Sequence, residues 1–586
     1  MSAASFGPAG EAHGIAPHSD IPEPRRTWWL FAAISAAALG CGAFSYYNEE
    51  HFGTIVTGMR SPGYGGASWG LYIVFVVFFI GVSFAGITVA ALARLFQIAV
   101  LKPVTRMAEL LTLVALVAGA FCVLADLGRP LEGLQNLPRF ANPSSPFFGT
   151  FTLVVSGYMF SSLVYFFLAG RADAAAAASK SKGPLRWFHL AWASGFKDEP
   201  AHRSRHHRVS FWLSLGILPM LITAHSTLGF VFGIQGGRPG WFGALQAPAF
   251  VMLAGVSGTG MLILLTLAFR WLYRLHDRIP DASIRWLGNF LWVLALVYLY
   301  FTVVEELTAT YAAPEADRHM AHEIVGGQFA LLFWITIGCL FVTFLIPFVL
   351  YVRDRTNVGL VAVAAVTANV AAVCKRFLIV VPSQTHGALV RLERGHYVPT
   401  WVEIGVVIGL LGLVFAVLLV FGRVFPLVPA PHGHEERVRP KAEALRRISS
   451  IATAVTAVGL IVFGLMDAFR LWSGGEVDNR VPFSPVIFLT GVMLLFISAV
   501  VFELVPERKK VTWEDRKQSL EVASFPWEDR TKKEAARALA GSGYRKLARL
   551  ASMAETAVRE GEGRRAIDLL LELQRQANAS SLERGE

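Results

Sequence analysis

Asp126, Arg129, His225, Glu305, Lys375, Arg376 and Glu403 are the side chains of this 586-residue chain whose types and places invite chemistry, because each lies inside or at the edge of a long apolar block. An ionisable group in a bilayer costs at least about 2.5–3.5 kcal/mol on insertion scales, so each needs a pairing or a functional reason. Depth follows from the helical rise of about 1.5 Å per residue. Asp126 closes the third block, with Arg129 just beyond, and His225 lies about sixteen residues into the fifth. Glu305 closes the seventh, Lys375 and Arg376 lie at the depth of His225 in the ninth, and Glu403 opens the tenth. A carboxylate and an imidazole exchange protons as acid and base with tunable pKa values. Gathered beneath one leaflet, they suit a polar-headed, membrane-soluble ligand whose two-electron chemistry moves two protons. A quinone fits that description. Tyr72 and Tyr158, at plausible depths in the second and fourth blocks, are candidate donors to its carbonyls.

Each of these residues also has a plain structural reading. Asp126 and Arg129 can form an interfacial pair at a helix end, and His225 can be a hydrogen-bonded core histidine. Lys375 and Arg376 can extend along apolar stems toward the interface. Glu305 can belong to a solvated acidic face with Glu306, Glu315 and Asp317.

The elements that must position these groups are long helices. Hydrophobic residues make up 54% of the chain and charged residues only 16%, which a soluble protein of this length does not show. The apolar blocks run to about 20 residues, the length that crosses a bilayer core. The pattern predicts an all-α integral membrane protein of about twelve spans, near 28–47, 70–97, 104–125, 147–169, 209–233, 248–272, 284–304, 323–351, 358–381, 401–425, 449–472 and 482–504. The net charge of +11 concentrates in alternate loops, 171–208, 270–285 and 426–448. That distribution argues for membrane orientation rather than nucleic-acid binding and places those loops and both termini in the cytoplasm. The site then lies toward the periplasmic face of a bacterial inner membrane. Four domains are expected: a cytoplasmic segment at 1–27, the main membrane domain at 28–428, a basic linker with two further helices at 429–505, and a mostly helical cytoplasmic tail at 506–586.

The four cysteines, Cys41, Cys122, Cys339 and Cys374, are scattered through apolar blocks without cluster or haem-attachment spacing. A bis-histidine haem needs two deep histidines on facing helices, and His225 alone is deep. The chain is therefore expected to hold no haem, metal or cluster, and to exchange electrons with a centre in another subunit.

Several strings resemble the membrane subunits of the polysulfide-reductase (NrfD-like) family, over about residues 25–428. They are SWGLYIVFVVFFIGVSFAG at 68–86, LADLGRPLEGLQNLPRFANPSSPFF at 124–148, AHSTLGFVFG at 224–233, YFTVVEELTATY at 300–311, KRFLIVVP at 375–382 and YVPTWVEIG at 397–405. The last two point to the longer, ten-span branch found in alternative complex III and in quinone-reactive hydrogenase subunits. The resemblance implies two adjacent four-helix bundles with flanking helices, and quinol oxidation or quinone reduction near the periplasmic face, with menaquinone or ubiquinone as substrate. It implies a ferredoxin-like iron–sulfur partner, with a molybdenum, nickel–iron or multihaem subunit beyond it. On the matching positions, Asp126, Arg129 and His225 become quinone-site candidates, and Glu305, Lys375, Arg376 and Glu403 a polar track for protons. Two rival classes are a secondary transporter, which would show related halves and broken midplane helices, and a purely structural anchor for redox partners.

Overall fold

The computed structural model describes residues 24–59, 67–96, 98–140, 153–196, 200–311, 313–386, 396–426, 451–464, 466 and 490–498, and short helical stretches at 553–554, 556–557 and 568–572. The chain divides into two compact units, Met1–Pro506 and Glu507–Glu586. Among the described residues every regular element is a helix.

The first unit runs α1 (Trp28–Phe52), α2 (Leu71–Leu95), α3 (Thr105–Asp126), α4 (Pro130–Phe140), α5 (Leu153–Lys180), α6 (Gly183–Ala193) and α7 (Pro200–Gly233). It continues through α8 (Gln246–Leu272), α9 (Asp281–Tyr311), α10 (Glu315–Val325), α11 (Ala330–Val352), α12 (Val358–Val380), α13 (Pro382–Thr385) and α14 (Trp401–Val424). Ten of these helical segments are long and apolar enough to cross a membrane, and the protein is a multi-pass integral membrane protein. The expected eleventh and twelfth spans lie largely outside the described residues, as do most of the segments expected at 1–27 and 506–586. Within the two spans, Ile451–Gly464 and 490–498 are helical, and Gly491 packs against Ala457 and Ile461.

Packing follows side-chain size. Helices α2, α3, α5 and α7 form one ring, and α8, α9, α11 and α12 a second; α2 and α7 pack on α8 and join the rings. Helices α1 and α14 pair outside the rings, with α14 also on α3. Membrane helices gain no hydrophobic drive from meeting one another, so close van der Waals approach through small residues carries the contact. The α1–α14 seam shows this: a Cβ added to Gly409 would stand 2.5 Å from the Cα of Gly42. The opposite surfaces of these helices carry exposed Phe31, Ile34, Phe44, Ile404, Ile408 and Phe415, as lipid contact requires.

One end of this scaffold is fastened by aromatic and basic groups. Trp28 donates its indole N–H to Tyr273 (3.0 Å), whose hydroxyl donates to the Leu419 carbonyl (2.9 Å). Burial pushes the Tyr273 phenol up to about 12, which keeps it a donor. Arg423 stacks over Trp28 at 5.2 Å and Arg25 over Trp271 at 4.9 Å. Such belts mark a membrane–water interface.

Candidate functional site

At the other end, α1 and α3 finish and α2 and α14 begin, and their terminal turns bring acids and phenols together. Glu49, in the last turn of α1, is 1% exposed and accepts the Tyr72 hydroxyl at 2.5 Å. Asp126, the last residue of α3, is also buried. Gly128 then takes φ +71°, a conformation that costs glycine little, and turns the chain into α4. Glu403 sits in the first turn of α14, where it closes a capping box with Thr400. Asp126 and Glu403 both lie within Coulombic reach of Glu49, and Asp126 also of Tyr397.

Glu403 and Glu49 differ in how their oxygens are used. Glu403 is saturated with donors: the Tyr397 hydroxyl at 2.5 Å on Oε1, and the Gly58 and Thr400 amides at 2.7 and 3.0 Å on Oε2. Tyr397 in turn accepts the Leu71 amide at 2.6 Å. Burial and the neighbouring Glu403 hold the Tyr397 phenol above its ordinary value, so it remains a proton donor. Glu403 thereby ties the α14 start to the 53–59 turn and to the head of α2. Glu49 is used on one side only: Oε2 holds Tyr72, and the enclosed Oε1 has no hydrogen-bond partner among the described residues.

The structure places the other expected residues apart from this cluster. Arg129, just ahead of α4, is exposed and pairs with Glu132 of that helix at 3.2 Å. His225 sits about 12 Å below the end of α7, at the helical rise. Its Nδ1 faces the Leu221 carbonyl at 2.8 Å and its Nε2 the Ile80 carbonyl of α2 at 2.9 Å. Phe84 and Tyr158 close around the ring. Tyr158 donates to the Ser83 carbonyl at 3.2 Å, which also accepts the Thr112 hydroxyl at 2.9 Å. His225 and Tyr158 therefore both fasten neighbouring helices to the backbone of α2.

In the second ring, Lys375 pairs with Glu305 at 2.8 Å, and Gln246 reaches the same carboxylate at 3.4 Å. Arg376 is buried with its guanidinium 4.7 Å above the Phe250 ring, and its Nε and Nη1 have no hydrogen-bond partner among the described residues. Among the described residues no group of three or more His, Cys, Asp or Glu is arranged to hold a metal ion.

Two groups were not anticipated from sequence. Glu49 follows the expected end of the first span at Tyr47, whereas the helix continues to Phe52 and takes in Glu49 as a buried residue. At the opposite end of the first ring lies a buried ion network. Glu109 pairs with Arg94 at 2.7 Å and Arg106 at 2.9 Å, and Arg106 also meets Asp173 at 2.7 Å and the Ala169 carbonyl. The Arg106–Glu109 spacing of three residues was the available signal, since such pairs share a helix face.

Known proteins share much of this chain. Residues 60–388 match the family model described as polysulphide reductase, NrfD. The chain is similar to a Halobacterium salinarum protein assigned as the membrane component of a dimethyl sulfoxide reductase, with 32% identity over 48% of this chain and 61% of that protein. It thus spans about three fifths of that relative. It is also similar to a component of the selenate reductase of Mesobacillus selenatarsenatis, 24% identical over 69% of this chain and 95% of the other. An Hdr-like menaquinol oxidoreductase integral membrane subunit of Archaeoglobus fulgidus matches at 24% over 69% of this chain and 94% of its own length.

Proposed function

The chain belongs to the NrfD polysulphide reductase family, and from that premise we propose that it is the quinol-reactive membrane subunit of a multi-subunit oxidoreductase. The observation that carries this reading is the buried group of Glu49, Tyr72, Asp126, Tyr397 and Glu403 at one end of the helical scaffold. Proton-exchanging groups enclosed at a helix end meet what a quinol needs: an acceptor for each hydroxyl proton and a short route to water. The relatives, from two reductases and a menaquinol oxidoreductase, support quinol oxidation as the direction of flow.

In this scheme Tyr72 contacts the head group and Asp126 accepts a proton from one hydroxyl. Glu403 and Tyr397 hold the ends of α2 and α14 at the required spacing. His225 keeps α7 on α2, and Arg129 with Glu132 stands at the membrane surface beside the site. The two electrons leave one at a time to a ferredoxin-like iron–sulfur subunit docked at this end, with a further molybdenum, nickel–iron or multihaem subunit beyond it. The described parts of the basic loops 171–208 and 270–285 lie at the opposite end, which supports a cytoplasmic location for that end and a periplasmic site in a bacterial inner membrane. Proton movement through the second ring would pass along Glu305, Lys375 and Arg376.

The test uses the purified complex with its native partners. Menadiol is expected to reduce the partner's iron–sulfur clusters, read by their visible absorbance. Intact clusters that stay oxidised under menadiol, yet respond to dithionite, would remove the proposal.

A further inference from the structure

Glu49 is the buried acid of this cluster to which the scheme above gives no step. It stands on α1, outside both four-helix rings, and is carried to the site by the glycine contact between α1 and α14. An enclosed polar atom without a partner costs on the order of 1–3 kcal/mol, and Glu49 Oε1 is such an atom among the described residues. Its other oxygen makes a charge-assisted type of contact, 2.5 Å from the Tyr72 hydroxyl. Glu403 differs, since three donors already occupy its oxygens. Of these two acids, only Glu49 joins a free oxygen to a phenol that can pass on a proton.

We propose that Glu49 is a proton acceptor for the quinol, reached through Tyr72; the inference rests on the quinol reading above. As one hydroxyl O–H bond of the quinol breaks, its proton passes to the Tyr72 oxygen while the Tyr72 proton moves to Glu49 Oε2. The second hydroxyl gives its proton to Asp126. Two electrons leave singly to the iron–sulfur clusters of the partner, and quinone remains. Tyr72 ends as it began and Glu49 ends neutral. Three residues from the end of α1, Glu49 then returns its proton to water before the next turnover. Tyr72 touches the substrate; Glu49 acts through it.

The experiment measures menadiol-driven cluster reduction in the assembled complex. A wild-type complex that ignores menadiol ends the quinol reading itself, whatever Glu49 does. With an active wild type, Glu49→Gln is expected to slow reduction about a hundredfold, the usual scale for one acid–base group. Tyr72→Phe should slow it similarly, and the double variant no further, because residues of one relay do not add. Glu49→Asp should recover most of the rate. The wild-type rate should fall toward low pH as the acceptors fill with protons, and the fall should be shallower in Glu49→Gln, where Asp126 alone remains to fill. Two results overturn the proposal: an assembled Glu49→Gln complex with wild-type rate and pH profile, or a double variant in which the two losses multiply. An independent reading needs no inactive variant. Adding menadiol should produce infrared absorption from two protonated carboxyls, and one component should shift in Glu49→Asp while that of Asp126 stays; absorption in which no component moves overturns the relay.

Discussion

At one end of the ring formed by α2, α3, α5 and α7, Arg94, Glu109, Arg106 and Asp173 join in a chain of two cations and two carboxylates. At the other end Glu49, Asp126 and Glu403 gather, and the donors to Glu49 and Glu403 are phenols and backbone amides. Both groups are buried, so burial alone does not separate structure from function. Charge balance does. Each carboxylate of the first group is bonded to a guanidinium, and such a network locks helices together. Glu49 and Glu403 are bonded instead to phenols, groups that can relay a proton to a neighbouring acid. The same helices thus carry a lock at one end and a proton-handling site at the other.

The largest expected effect breaks the lock. Arg106→Met leaves Glu109 with Arg94 alone and strips Asp173 of its guanidinium, and removal of one partner from a buried ion group costs about 3–5 kcal/mol. Thermal unfolding in nanodiscs should show a marked loss of stability. An unchanged melting profile would mean that the network is dispensable and the comparison empty.

Asp126→Asn is the converse. It is nearly isosteric, so the melting profile should hold, while menadiol-driven reduction falls about a hundredfold, or about 2.7 kcal/mol of activation free energy. Retained turnover would move the chemistry away from this end.

Lys375→Met sharpens the comparison with the second ring. It leaves Glu305, whose side chain is 27% exposed, without its ammonium partner, at a cost of about 1–3 kcal/mol of stability. Adding Glu305→Gln should restore much of that. Electron transfer from menadiol should persist in the double variant, because neither residue belongs to the acid–phenol cluster. Its loss would extend the site into the second ring.

The sequence carried the scaffold well, because apolar blocks of span length are set by the bilayer and survive any rearrangement of contacts. It also marked Asp126, Tyr72 and Glu403 individually. Their meeting with Glu49 was not legible, since it depends on the α1–α14 glycine seam and on the run of α1 past Tyr47 to Phe52. Depth placed His225 with Lys375 and Arg376 but could not show facing direction. His225 turns to the carbonyls of Leu221 and Ile80, whereas Arg376 turns to Phe250. Arg129 likewise read as a neighbour of Asp126 in sequence, and the turn at Gly128 sends it to Glu132 instead.

The smallest effect belongs to the lock end and is a matter of pH. His189 of α6 is fully buried, with Nε2–H donating to the Val424 carbonyl at 2.9 Å and Nδ1 2.9 Å from the Ser181 hydroxyl. Burial lowers its pKa below the ordinary value, and the Val424 carbonyl opposes that shift without cancelling it. A histidine with a depressed folded value binds fewer protons folded than unfolded, in the window between the lowered value and about 6.5. Stability therefore rises with pH through that window and is lost as pH falls through it. Melting of the wild type should decline on acidification from neutral pH, and His189→Gln should flatten part of that slope while leaving menadiol oxidation at neutral pH intact. An identical slope in the variant would assign the acid sensitivity to other groups, the acid–phenol cluster at the opposite end among them.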